Sequence, residues 1–252
     1  MTSTSSVLQN PPIIEAVVDI DCDLPTNFDL AQVEKRATIS FAENYPILEK
    51  RNRFEAAFKI DGSGGPQQAA QKVGLQTLMF YANDRRQLVQ FRDQGFSFNR
   101  LEPYSSLDDY LLEIEDAWSK YCELVFPIRS RLIRLRYVNR FMLNFDEAML
   151  GIDEYLSSPP QTADPNRLAM TGFLNQYSAV EPATGNQTFT VITMEPPNGN
   201  KVPIIFDNMV ASQSFFEPND WPGIRDNILE LRELKNYVFE RTLTQKCRNL
   251  FI

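Results

Sequence analysis

The stretch from Ile128 to Phe145 alternates in character, and this limits the fold more than any other feature. Ile133, Leu135, Tyr137, Phe141 and Leu143 share one parity, while Arg134, Arg136 and Arg140 share the other. Successive side chains of a strand point to opposite faces, so this segment reads as one long strand with an apolar face and a basic face. A strand buried on one face belongs to an antiparallel sheet that helices cover on one side.

The rest of the chain fits that frame. After Pro11-Pro12, Ile13 to about Cys22 reads as a strand, with Ile14, Ala16, Val18, Ile20 and Cys22 on one parity and Glu15, Asp19 and Asp21 on the other. Thr26 or Asn27 is expected to cap a short helix carrying Phe28, Leu30, Val33 and Ala37. A strand with Phe54, Ala56, Phe58 and Ile60 on one face follows, broken by Asp61-Gly-Ser-Gly-Gly-Pro66. Strands are expected at Leu75–Tyr81, Gln87–Arg92 and around Phe96–Phe98. A long helix then runs from Leu107 to about Phe126, capped at Ser106 and stopped by Pro127. Its stripe is Leu107, Leu111, Ile114, Trp118, Tyr121 and Val125.

From Ile128 the order begins again. The arginine strand leads to a short helical piece around Glu147–Leu156, then to strands near Leu168–Val180, Gln187–Glu195 and Val202–Phe206. Asn198-Gly199 marks the last hairpin turn. Asn219 or Asp220 caps a final helix with Pro222 in its first turn and Ile224, Ile228, Leu231, Leu234 and Val238 as its stripe. The expected fold is therefore α+β: a flexible tail over 1–10, then one domain over 11–252 of two pseudo-repeats, about 11–127 and 128–252. Each is a strand, a helix, a meander and a helix, forming a curved antiparallel sheet with helices on one face. That order resembles the TATA-binding-protein-like folds, in which the lead strands of both halves meet near a pseudo-twofold axis; the likeness concerns topology alone.

Composition removes whole classes of chemistry. Among 252 residues there is no histidine, which excludes Ser-His-Asp and Cys-His nucleophile pairs, HExxH metalloproteases and His-containing zinc sites. No catalytic residue, metal or cofactor is expected, and the chain reads as non-enzymatic. With 33 acidic against 25 basic residues the net charge is -8, which disfavours nucleic acid and anionic lipid as partners. Cys22, Cys122 and Cys247 are odd in number and far apart, as expected of reduced thiols in a cytoplasmic protein. Met1–Ser6 lacks the basic and apolar regions of a signal peptide, and no apolar run is long enough to span a bilayer.

Two segments carry a family resemblance. Leu8-Gln-Asn-Pro-Pro-Ile-Ile-Glu-Ala16 and Ile133-Arg-Leu-Arg-Tyr-Val-Asn-Arg140 resemble a sporadically distributed prokaryotic family of uncharacterised function. Its members open with a Pro-Pro-Ile-x-Glu-Ala signature and carry a central Arg-Tyr-x-Asn-Arg strand. The likeness extends to the helix around Trp118 and to Ile205-Phe206-Asp207, and departs at Glu230–Phe239, where the family pattern has a histidine. The resemblance implies a bacterial origin, and the family's patchy occurrence implies a multi-protein module of the defence or toxin–antitoxin kind.

Four groups of residues are candidates for a site. Glu15, Asp19, Asp21 and Asp23 point to one side of the first strand and read either as a hard-cation site or, preferably, as ion-pair partners for the arginine strand. In the second reading Glu15 or Asp19 meets Arg136 or Arg140 across the ladder. Arg134, Arg136 and Arg140, with Tyr137, form a candidate anion or nucleotide anchor. Gly62-Ser-Gly-Gly-Pro66 lacks the following Gly-Lys-Ser/Thr of a phosphate loop and reads as a hairpin connection. Phe215-Phe216 before Pro218 is a candidate contact patch for a partner. The function these features favour is a non-catalytic interaction component with a protein partner, with self-association open. A small anionic or nucleotide-like ligand is the alternative, and nucleic-acid binding the third reading.

Overall fold

The computed structural model of the chain describes residues 8–59, 67–144 and 151–252, with 54–59 and 67–73 described by backbone alone. The Gly62–Pro66 loop and the side chains of Phe54 and Phe58 lie outside the described residues. Among the described residues nine strands form one open antiparallel sheet, in the order β2-β3-β4-β5-β1-β6-β9-β8-β7. The strands are β1 (Ile13–Asp23), β2 (Ile47–Lys59), β3 (Gln67–Tyr81), β4 (Gln87–Arg92), β5 (Gly95–Leu101), β6 (Arg129–Asn144), β7 (Leu174–Val180), β8 (Gln187–Met194) and β9 (Lys201–Ser212). Four helices pack against the sheet: α1 (Leu30–Phe41), α2 (Leu111–Val125), α3 (Trp221–Thr242) and the short α4 (Gln245–Arg248).

Parity decides which face the helices cover. Val18 and Ile20 of β1, Phe80 of β3, Phe91 of β4, Phe96 and Phe98 of β5, and Ile133, Leu135 and Tyr137 of β6 all turn to one side and are buried there. The stripes of α1, α2 and α3 complete that core. Phe91 and Phe96 meet Tyr121 at 4.9 and 5.5 Å between ring centroids, and the Trp118 indole N–H donates to the Pro218 carbonyl over 2.9 Å. A second cluster joins Phe141, Leu143, Ile204 and Phe206 to Leu243, Cys247 and Phe251. The residues of opposite parity face away from the helices.

Several boundaries differ from the sequence reading. Thr26 and Asn27 are taken up by a turn in which the Phe28 N–H donates to the Pro25 carbonyl over 2.9 Å, so Asp29 caps α1 by accepting from the Ala31 N–H. Ser106 does cap a turn, but a single 3-10 turn over Leu107–Asp109; α2 starts beyond it, and left-handed Phe126 ends it at φ 54°. The strand expected over Leu168–Val180 begins only at Leu174, and the one expected over Val202–Phe206 continues to Ser212. Of the helical piece expected around Glu147–Leu156, residues 145–150 lie outside the described residues, and Ile152–Glu154 is a 3-10 turn. Asp220 caps α3, accepting from the Gly223 N–H over 3.1 Å. Among the described residues no helix is long and apolar enough to cross a membrane.

Candidate functional site

The sheet face turned away from the helices has a polar centre and an apolar wing. The centre is built where β1 lies between β5 and β6. Their register sets Asp19 between Ser97 and Arg134, Val17 between Asn99 and Arg136, and Asp21 between Gly95 and Leu132. Arg134 grips Asp21 with both Nη atoms, at 2.9 and 2.8 Å, and its Nε lies 3.5 Å from Asp19. From the other flank Arg92 of β4 donates to Asp21 over 2.8 Å and to the Phe96 carbonyl over 2.9 Å, and lies 3.5 Å from Asp19. Two carboxylates thus balance two guanidiniums, and Asp21, with its side chain only 4% exposed, is the buried member. Ser97 donates to Asp19. Asn99 donates to Glu15 over 2.8 Å and accepts from Gln90 over 2.8 Å.

Gly95 makes this packing possible. A Cβ there would lie 2.1 Å from the Ile20 carbonyl oxygen and 2.9 Å from the Asp21 Cα, on a backbone with φ of 150°. Only glycine lets β5 approach β1 this closely beside the buried carboxylate.

The other arginines of β6 are engaged too, though not as expected. Arg136 binds Asp207 of β9 in a two-pronged contact of 2.8 and 2.6 Å, which holds its guanidinium more firmly protonated than usual. Arg140 pairs with Glu195 just beyond β8 at 2.9 Å. The expected pairs of Glu15 or Asp19 with Arg136 or Arg140 do not form, because the register sets Glu15 opposite Val138 and Asp19 opposite Arg134. Tyr137 is not on the arginine face. It is buried beneath the helices, its hydroxyl 2.8 Å from that of Tyr104 and its ring 4.0 Å from the Lys235 ammonium. Asp23 takes Arg129 at 2.6 Å, and that guanidinium stacks over exposed Phe215 at 4.6 Å. Phe216 is half-buried against the main core and tied to Ser130 through its backbone, so Phe215 alone projects. Among the described residues no cluster of three or more His, Cys, Asp or Glu side chains has the arrangement to hold a metal ion.

The apolar wing is what sequence reasoning missed. On the same face, Val138 of β6, Ile205 and Met209 of β9, and Phe189 and Val191 of β8 stand in adjoining rows and are half-exposed. Met142 extends the patch at one end, and Val180 and Leu174 of β7 extend it at the rim, all three exposed. Ser178, Val180, Phe189, Met209 and Ala211 border a groove of about 260 Å³ on the wing's outer part. The signal was present: Val138 and Met142 sit at arginine-parity positions of β6, and β9 is apolar on both parities from Val202 to Ile205. The three thiols offer no reactive alternative; burial pushes those of Cys22 and Cys247 up to about 12 and raises that of Cys122 as well. No family model, curated protein or solved structure matches the chain.

Proposed function

We propose that the chain acts by binding, as a non-catalytic component of a bacterial multi-protein module of the defence or toxin–antitoxin kind, and that the apolar wing receives its protein partner. The observation that carries this reading is that Val138, Met209, Phe189, Val191 and Ile205 are half-exposed on a sheet face that none of the described helices covers. They surround the Arg136–Asp207 ion pair, since Asp207 lies between Met209 and Ile205 on the same face of β9; apolar side chains around an already neutralised charge are a surface a protein partner covers at low cost. The anionic-ligand reading needs free guanidiniums, and Arg134, Arg136 and Arg140 each contact a carboxylate.

The strand order also supports an inference about origin. Outward from the central β1–β6 pair, one half runs β5-β4-β3-β2 and the other β9-β8-β7. We infer an internal duplication with the topology of the TATA-binding-protein-like folds, β1 and β6 being the lead strands, and membership of the prokaryotic family that the two signatures resemble.

The test is purification from the native host of the wild type, of Phe189→Asp and of Arg136→Ala, with mass spectrometry of co-eluting proteins and of small molecules released on denaturation. A stoichiometric protein lost only from folded Phe189→Asp supports the reading. A small molecule lost from Arg136→Ala, with no protein partner, would replace it with the ligand-binding one.

A further inference from the structure

Among the described residues β7 ends the sheet, and nothing there covers its edge. Leu174, Tyr177 and Val180 are exposed on it, and the strand carries neither charge nor proline, the usual devices that stop an edge from pairing. The opposite edge is guarded. β2 presents Glu49, Lys50, Arg51 and Arg53, three of them in ion pairs with neighbouring elements.

The backbone fixes what β7 offers. At one end the Glu181 N–H donates to the Asn186 carbonyl over 2.8 Å; at the other the Phe173 carbonyl accepts from the Met194 N–H over 3.3 Å. The register between is unbroken, so peptide groups of odd-numbered residues turn to β8 and those of Leu174, Gln176, Ser178 and Val180 turn outward.

We infer that β7 pairs antiparallel with β7 of a second copy, about a two-fold axis through Tyr177. In that register Leu174 of each copy opposes Val180 of the other, Gln176 opposes Ser178, and Tyr177 meets its own symmetry mate. All outward peptide groups then find partners, about eight hydrogen bonds in total. Apolar meets apolar and amide meets hydroxyl, and chains of net charge -8 place no charge opposite a like charge in the ladder. Sliding the axis to Gln176 or Ser178 keeps the parity but sets Leu174 against Ser178 or Val180 against Gln176 and shortens the overlap. Leu174 of the second copy lies beside Val180 at the rim of the groove and covers it. The pairing joins two sheets into one and does not depend on the partner proposed above.

Sedimentation of the full chain over a range of concentrations tests this, alongside Tyr177→Lys and Ser178→Pro. Tyr177→Lys sets two ammonium groups opposite each other at the axis. Ser178→Pro removes an outward N–H while sparing the ladder to β8. Circular dichroism and a urea midpoint establish that each variant is folded. A wild-type dimer whose dissociation constant rises at least about tenfold in both variants supports the pairing. Tyr177→Cys adds a second readout: it forms a disulfide-linked dimer on mild oxidation, and Gln32→Cys, exposed on α1, does not. A wild type that stays monomeric at its highest soluble concentration, a dimer indifferent to both variants, or equal cross-linking at 177 and 32 overturns it. So does a monomer whose Tyr177→Lys variant loses a foreign chain, since the edge then belongs to another protein.

Discussion

Asp21→Asn removes the carboxylate that accepts hydrogen bonds from both Arg92 and Arg134. The Asp21 side chain is almost fully buried, and each guanidinium is about one-fifth exposed. In the wild type two carboxylates face two guanidiniums; in the variant only Asp19 remains, 3.5 Å from each. Breaking a buried pair from one side costs about 3–5 kcal/mol. Partial exposure of the arginines and the surviving Asp19 set this case near the lower end, about 3 kcal/mol. Arg136→Ala is the contrast: its contact with Asp207 is two-pronged, but the arginine is 44% exposed, and such pairs contribute about 1 kcal/mol or less. Urea unfolding at neutral pH, followed by the fluorescence of buried Trp118 and Trp221, measures both. Asp21→Asn is expected to lower the midpoint by roughly 1 M or more, given the usual denaturant slopes. A loss under about 1 kcal/mol, or a larger loss in Arg136→Ala, would refute the view that this charge group fixes the centre of the sheet.

Gly95→Ala drives a methyl group into the β1 backbone and is expected to cost roughly 3 kcal/mol or more, read as a lowered thermal midpoint. A stability change within about 0.5 kcal/mol would show that β5 can withdraw. Burial lowers Lys235 to about 8, so between about pH 8 and 10 the unfolded chain holds a proton there that the folded chain has released, and this one group favours folding increasingly with pH, by at most about 3 kcal/mol. The buried thiols of Cys22, Cys122 and Cys247 act in the opposite sense from about pH 8.5, where the unfolded chain loses protons that the folded chain keeps, and tyrosines opposed to ionisation, among them Tyr137 pushed up to about 12, add to this above about pH 10. The Lys235 share is the difference between wild type and Lys235→Met in how the urea midpoint changes from near neutrality to near pH 9.5, expected in favour of the wild type; an identical change in both would refute it. A thiol reagent at mildly alkaline pH is expected to label all three cysteines slowly in the native state and rapidly in urea. One fast native thiol would contradict the burial.

The layer order was legible because it rests on parity and stripes, which are local. Alternation of Ile133, Leu135 and Tyr137 with Arg134 and Arg136 marks the buried face of β6 whatever lies beside it. The identity of the ion pairs was not legible, because it depends on register. The unbroken register from Glu15 to Asp21 sets Val17, not a carboxylate, opposite Arg136, and no local pattern announces it. Arg92, Asp207 and Glu195 enter the network from strands far along the chain, so sequence proximity gives no clue to them. The cap of α1 failed for a smaller reason: Thr26, Asn27 and Asp29 are all good caps, and the turn from Pro25 to Phe28 selects the third.

The carboxylates that hold the β6 arginines set an expectation for nucleic acid. Arg134, Arg136 and Arg140 in one strand are the residues a phosphate backbone would seek. To reach a phosphate, each must leave a carboxylate: Asp21 for Arg134, Asp207 for Arg136, Glu195 for Arg140. Those carboxylates stay behind and repel the incoming anion, so the exchange gains little and leaves a buried Asp21 short of a partner. Single-stranded or duplex nucleic acid is therefore expected to show no retention even at low ionic strength, measured by fluorescence anisotropy. Binding that weakens steeply with added salt, and disappears in Arg136→Ala, would mean that the guanidiniums do exchange partners; the face would then work through its charges, not through the apolar wing.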